Sequence, residues 1–155
     1  MIGGFMKQIR RAAPKDASRL AEILIFAKRV AYRPIFQNDA VSFGQMQVLP
    51  LASEYLASPE KLKNIWVYDD EFVKGMVHIQ GAQIKELYVE YFFQHQGIGA
   101  QLLSFAVHEC GARFLWVLEK NKAAIQFYQA QGFAFFGQRM LEAGTSEFLQ
   151  RMELQ

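Results

Sequence analysis

The sequence predicts a mixed α/β (α+β) domain built on one central sheet flanked by helices. Three observations predict it. Strand-like apolar runs alternate with stretches of helical period along the whole chain. Two helical stretches end at glycines, Gly111 and Gly132, and each is followed by a run of β-forming residues, "RFLWVLE" and "FAFFGQRM". No repeat, low-complexity tract or linker divides the 155 residues, so residues 1–155 are expected to form a single domain.

Taken in order, "MKQIRRA" reads as a short first strand. "PKDASRLAEILIFAKRVAYRP" opens on the helix-start pair Pro14 and Asp16, and Ala17, Leu20, Leu24, Ala27 and Ala31 carry the helical period. Pro34 is expected to end that helix. Ser42 to Lys63 reads as a second helical region, interrupted by Pro50 and Pro59. The strands "IWVY" and "VKGMVHI" follow, joined by "DDEF", and "QIKELYVEYF" is a third strand. Helical period returns at Ile98, Leu102, Leu103, Ala106 and Val107, from about Gln96 to Glu109, with Gly111 as a left-handed cap. After the strand "RFLWVLE", Asn121 is the expected N-cap of "NKAAIQFYQAQGF". "FAFFGQRM" and "SEFLQRMEL" close the chain as paired strands. The predicted order is β-α-α-β-β-β-α-β-α-β-β.

Composition excludes several classes. Apolar residues make up 52% of the chain and 14 residues are Phe, which argues against disorder. With 17 basic and 15 acidic residues the net charge is +2, and no basic stripe points to a nucleic-acid partner. One cysteine, Cys110, makes neither an internal disulfide nor a metal cluster, and it favours a reducing compartment. "MIGGFMKQIRR" has no apolar core of a leader, and no stretch approaches 18 apolar residues. A cytoplasmic protein without membrane or metal is the expectation.

The stretch that carries chemistry is Gln94-His95-Gln96-Gly97-Ile98-Gly99-Ala100, set between a strand and a helix. A helix amino end offers unpaired N–H groups to an anion, and glycine lets the anion come close. Taken alone, Gly97 and Gly99 serve equally as a tight turn or a close packing contact. A P-loop needs Lys-Ser/Thr after its last glycine, and Gln101-Leu102 stand there. A dinucleotide fold wants a third small residue where Leu102 stands, although Glu119 lies 22 residues after Gly97. Too little chain follows for a doubly wound sheet.

Two blocks together resemble the GNAT superfamily of N-acetyltransferases over roughly the whole chain. Gln94, Gly97 and Gly99 fit that family's Q/R-x-x-G-x-G/A motif, after "ELYV", which resembles its fourth strand. "LWVLEKNKAAIQFYQAQGF" resembles its second block, with Asn121, Ala124, Phe127, Tyr128, Gly132 and Phe133 at the family spacing. Tyr91 stands where proline is common and His95 where a small residue is frequent; neither removes a backbone donor.

The resemblance implies a mostly antiparallel sheet, splayed where acetyl-CoA enters, and an acetyl-CoA-dependent N-acetyltransferase. It implies that backbone groups of Leu87 and Val89 hold the pantetheine arm, with Tyr88 between them also at the cofactor. It places the diphosphate on the N–H groups of Gln94, His95, Gln96, Gly97, Ile98, Gly99 and Ala100, with Asn121 and Tyr128 also against the cofactor. Tyr128 would protonate the departing CoA thiolate, since a phenol with a reference pKa of about 10 stays protonated at neutral pH. Its alternative is a core aromatic, as expected of Phe127.

An alkyl amine must lose a proton before it attacks. Glu86 leads as the base, directly or through water, with Glu90, His78 and His95 as alternatives; any of them could equally be a solvated or phosphate-facing group. Cys110 reads as a small buried hydrophobe. Trp116 and the many Phe residues read as core. Direct attack in a ternary complex follows from the lack of a paired nucleophile. The resemblance puts the acceptor against Arg29 to Glu60, where the acids are Asp39, Glu54 and Glu60, too few to suggest a polycation. A small amine, amino acid or peptide amine is the expected acceptor. A non-catalytic acyl-CoA-binding module and a dinucleotide-binding domain are the competing readings. Dimers are common in the resembling family, which leaves a homodimer among the implied partners.

Overall fold

The computed structural model describes residues 8–36 and 47–155. The elements are β1 Ile9–Arg11, α1 Ala17–Phe36, α2 Val48–Ala57, α3 Pro59–Leu62, β2 Ile65–Asp70, β3 Phe72–Gln80, β4 Gln83–Val89, α4 Ile98–Cys110, β5 Phe114–Leu118, α5 Lys122–Ala130, β6 Phe133–Leu141 and β7 Phe148–Leu154. The order is the expected one except that the second helical region is two helices, α2 and α3, and the strands form one seven-stranded sheet arranged β1-β2-β3-β4-β5-β7-β6. Every neighbouring pair is antiparallel except β4 and β5. That arrangement rules out the doubly wound sheet of a dinucleotide fold.

Apolar residues alternate along the strands, and each face of the sheet buries one set. On β3, Met76 joins the cluster under α1 and α2, with Leu20, Ile23, Tyr55 and Val67. Its neighbour Val77 joins the cluster under α4 and α5, with Leu102, Leu103, Leu115 and Met152. Several Phe residues expected in the core lie outside it: Phe92 is 79% exposed, and Phe135 and Phe136 sit exposed on β6. β6 is the last strand of the sheet, and its register breaks between Phe135 and Arg139, so the alternation that buries aromatics elsewhere lapses there.

The prolines behave differently from expectation. Pro34 lies within α1, which runs on to Phe36. Pro50 is the third residue of α2, where its missing N–H would have had no helical partner. Pro59, as expected, marks a break and opens α3. The first two residues of the expected first strand, Met6 and Lys7, lie outside the described residues, as do Ser42 to Met46 and Asp39.

One ionic network pins the start of the chain. Arg10 grips the Asp16 carboxylate with two N–H groups, at 2.8 and 2.9 Å, and reaches Asp69 with its Nε at 2.9 Å. Asp16 also accepts the N–H of Ala13 at 2.8 Å, closing the turn that leads into α1. Burial raises the Asp16 carboxyl, but Arg10 and the Ala13 N–H outweigh it and hold it below the usual value. A carboxyl depressed by folding stabilises the protein above its unfolded pKa, and loses that effect as pH falls through the folded value. Asp16→Asn is therefore expected to cost about 2 kcal/mol at pH 7. The deficit should shrink below about pH 4, measured by urea unfolding. Equal stability at pH 7, or a deficit that grows in acid, would contradict this role.

Candidate active site

β4 and β5 pair through only two residue pairs, Gln83 with Phe114 and Ile84 with Leu115. Beyond them the strands part, and a cleft of about 790 Å³ opens between them, lined by Glu86 to Val89 on one side and by Leu115 to Leu118 on the other. The hydrogen-bond pattern shows which backbone groups face the gap. The N–H of Glu90 donates to the carbonyl of Lys74 on the β3 side, at 2.9 Å. Antiparallel ladders alternate, so Tyr88 and Glu86 also pair with β3, while Leu87 and Val89 turn their N–H and C=O groups towards β5. Those are the two residues expected to hold a pantetheine arm. Tyr88, also expected at the cofactor, lines the cleft too, but its backbone pairs with Met76 on β3.

The glycine stretch sits where β4 ends. Gly97 caps α4 with φ +83°, in the left-handed region, and His95 has φ +65°. The first bond within the helix runs from the Gln101 N–H to the Gly97 carbonyl at 3.0 Å. The N–H groups of Ile98, Gly99 and Ala100 therefore have no partner within the helix. Gln94 departs from expectation: its N–H is donated to the Tyr91 carbonyl at 3.3 Å. Its side chain instead donates to the Val89 carbonyl at 3.2 Å, tying the loop to the end of β4.

The two glycines do different jobs. Gly97 is needed for its positive φ. Gly99 is helical, and a Cβ there would find Phe127 at 3.5 Å and Val89 at 3.7 Å, which is ordinary contact. Folding does not require glycine at 99, whereas close approach by an anion does.

Tyr128 and Asn121 stand on the β5 side of the same cleft. The Asn121 side chain accepts the Ala124 N–H at 3.3 Å and caps α5, as expected. Tyr128 is 9% exposed and lies edge-on to both Phe127 and Phe133. Trp116, expected in the core, is half-buried in the cleft wall.

Glu86 lies on the border of this cleft with a second cavity of about 470 Å³, lined by residues of α1, α2 and α3; both cavities touch Glu86 and Lys28. Its carboxylate faces Lys28 at 3.6 Å and His78 at 3.5 Å. Burial pushes the Glu86 carboxyl up, but His78, Lys28 and Lys61 together outweigh it and bring it below the usual carboxylate range. Of the alternatives, one stands beside Glu86 and two lie elsewhere. Glu90 faces Arg19 at 3.6 Å, His78 packs against Glu86, and His95 is exposed on the glycine loop. Burial pushes the Cys110 thiol up, as suits a packed side chain rather than a nucleophile. Glu119, the residue a dinucleotide would need, is gripped by Arg139 at 2.6 and 3.0 Å.

Residues 61–134 match the family model of the acetyltransferase (GNAT) domain. That match spans just under half of the chain. Over 80 residues it is 35% identical to an uncharacterized N-acetyltransferase of Lactobacillus delbrueckii subsp. lactis, a match spanning 48% of this chain and 46% of that relative. Its fold is shared with YjaB of Escherichia coli, solved in its apo form (TM-score 0.69, 19% identity, 94% of this chain and 95% of that one). It is shared equally with the PaiA N-acetyltransferase of Thermoplasma acidophilum, solved with coenzyme A (TM-score 0.68, 19% identity, 92% and 96%). YncA of Salmonella typhimurium, solved with its cofactor acetyl-CoA, is a third (TM-score 0.66, 21% identity, 95% and 92%). Among the described residues no helix is long and apolar enough to cross a membrane, and no group of three acids, His or Cys could hold a metal.

The candidate site also contains residues the sequence reading passed over. Lys28 flanks the apolar stripe of α1, one position after Ala27, and a lysine beside such a stripe was the available signal. Tyr55 is wholly buried at the second cavity, and its hydroxyl has no hydrogen-bond partner among the described residues. Nothing in the weakly patterned stretch around it marked it out.

The glycine pair yields a prediction with opposite signs. Gly97→Ala should cost about 1–2 kcal/mol, because alanine resists positive φ. Gly99→Ala should be neutral or stabilising by up to about 1 kcal/mol, yet weaken CoA at least tenfold. Thermal melts and calorimetric titration check both. A folded Gly99→Ala protein that binds CoA like the parent would remove the cradle from the account.

Proposed function

We propose that the protein transfers the acetyl group of acetyl-CoA to a primary amine by direct attack in a ternary complex. The observation that carries this reading is the parted β4–β5 pair, whose open edge meets the unpaired N–H groups of α4. A pantetheine amide can pair with Leu87 and Val89 as a peptide pairs with a sheet edge. The diphosphate would sit on Ile98, Gly99 and Ala100, where a helix amino end and a missing Cβ favour it. When bound, acetyl-CoA supplies the activated acetyl group.

The chain's own residues then handle position and protons. The cleft holds the thioester between β4 and β5, close to the border at Glu86. The amine attacks the thioester carbonyl, the C–S bond breaks, and the sulfur leaves as thiolate. The Tyr128 hydroxyl donates the proton the thiolate takes up. Glu86 is ionised and is a weak proton acceptor. Its ordinary value and that of an alkyl ammonium differ by about six units, or about 8 kcal/mol. Its part is to orient the amine, while the amine's proton leaves through water.

The cofactor assignment and the acid are tested together. CoA and acetyl-CoA should raise the melting temperature, and NAD should not. Tyr128→Phe should keep the CoA shift while lowering kcat about 10²-fold in a thiol-release assay. Stabilisation by NAD but not CoA overturns the cofactor. CoA binding without transfer to any amine favours the non-catalytic module instead. Full turnover by Tyr128→Phe removes the acid.

A further inference from the structure

The second cavity, between α1, α2 and α3 and the Glu86 border, has a chemistry that narrows the acceptor. Its walls are apolar at Leu24, Ile25 and Leu51, and charges of both signs stand in it. Glu54 and Glu86 supply the negative groups; Lys28 and Lys61 supply the positive ones. Tyr55 lies beneath them, 0% exposed. Its hydroxyl is within the field of both carboxylates, and burial together with those charges holds the phenol well above its ordinary value. That hydroxyl makes no hydrogen bond among the described residues, which is costly for a buried polar group unless a ligand completes it.

We infer that this cavity takes a small zwitterion, an amino acid whose primary amine and carboxylate flank one carbon and whose remainder is apolar. The inference rests on the acetyl-transfer reading and names its acceptor. The amine end lies towards Glu86, because Glu86 alone of the two carboxylates also borders the cofactor cleft. The carboxylate end lies towards Lys61, whose Nζ stands 5.1 Å over the Tyr55 ring. Lys28 is already set against Glu86 at 3.6 Å, which leaves Lys61 as the cation for the ligand. A polyamine meets two lysines here and is opposed by both. A bare amine leaves Lys61 unanswered, and a peptide amine brings an amide where the carboxylate belongs. The leucine, methionine or phenylalanine side chain has the apolar wall to lie on.

The experiment is a thiol-release assay with acetyl-CoA and L-leucine, L-methionine and L-phenylalanine. Each is run beside its amide and its decarboxylated amine, with spermidine as the polycation. The best amino acid should exceed its own amide and amine at least tenfold in kcat/KM, and spermidine should be poorer still. Lys61→Gln, verified as folded by its melt, should bring the amino acid within about threefold of its amide. Calorimetry should detect that amino acid binding to the CoA-saturated protein. An amide or bare amine used as well as the amino acid overturns the inference, as does preference for spermidine, or an absence of amino-acid binding when CoA is bound. Failure to bind CoA at all overturns the acetyl-transfer reading instead, so the two failures are told apart.

Discussion

The partial pairing of β4 with β5 is the constraint on which the rest of the molecule depends. A parallel pair this short leaves backbone donors and acceptors without partners in the interior of a sheet, which is ordinarily unfavourable. The chain tolerates it because both strands are held from their far sides. β4 is laddered to β3 along its length, and β5 to β7 through five residue pairs. Two rigid half-sheets thus hold a gap open between them. The gap widens towards the carboxyl ends of both strands, where α4 and α5 begin. The proposed site for a long, jointed ligand rests on that geometry: an unpaired strand edge, a helix amino end, and a phenol on the opposite wall.

Charge placement divides the site into two functions. At the glycine loop the attraction comes from backbone N–H groups, so side-chain identity matters little except where a side chain would intrude. Around Glu86 the reverse holds, and side chains decide everything. Lys28 and His78 keep that carboxylate ionised despite its burial, and ionised it orients better than it abstracts. It stands on the border of the two cavities, where the proposed donor and acceptor would meet.

How much of this was legible in the sequence depends on range. Local signals read true: Asn121 caps α5, Gly111 caps α4 with φ +73°, and Glu71 with φ +69° takes the turn expected in "DDEF". Prolines misled: Pro34 lies within α1 rather than ending it, and Pro50 sits in a first turn, where its missing N–H costs little. Gly97 and Gly99 were visible as a pair, but their different jobs were not, because only packing shows that Gly99 has room for a Cβ. The parting of β4 and β5 is a relation between segments some thirty residues apart and leaves no composition signal of its own. Tyr55 and Lys61 were hidden for a similar reason: they matter through a cavity that three helices and a strand make together.

The most direct test of the central claim is amide hydrogen exchange, residue by residue, with and without CoA. In the free protein Glu86 and Tyr88 should be protected by their ladder to β3, while Leu87 and Val89 exchange freely. Adding CoA should slow Leu87, Val89 and the Ile98 to Ala100 amides at least tenfold and leave Glu86 and Tyr88 nearly unchanged. CoA binding that leaves Leu87 and Val89 exchanging as before would contradict the account, because the cofactor would then lie outside the gap that organises the fold.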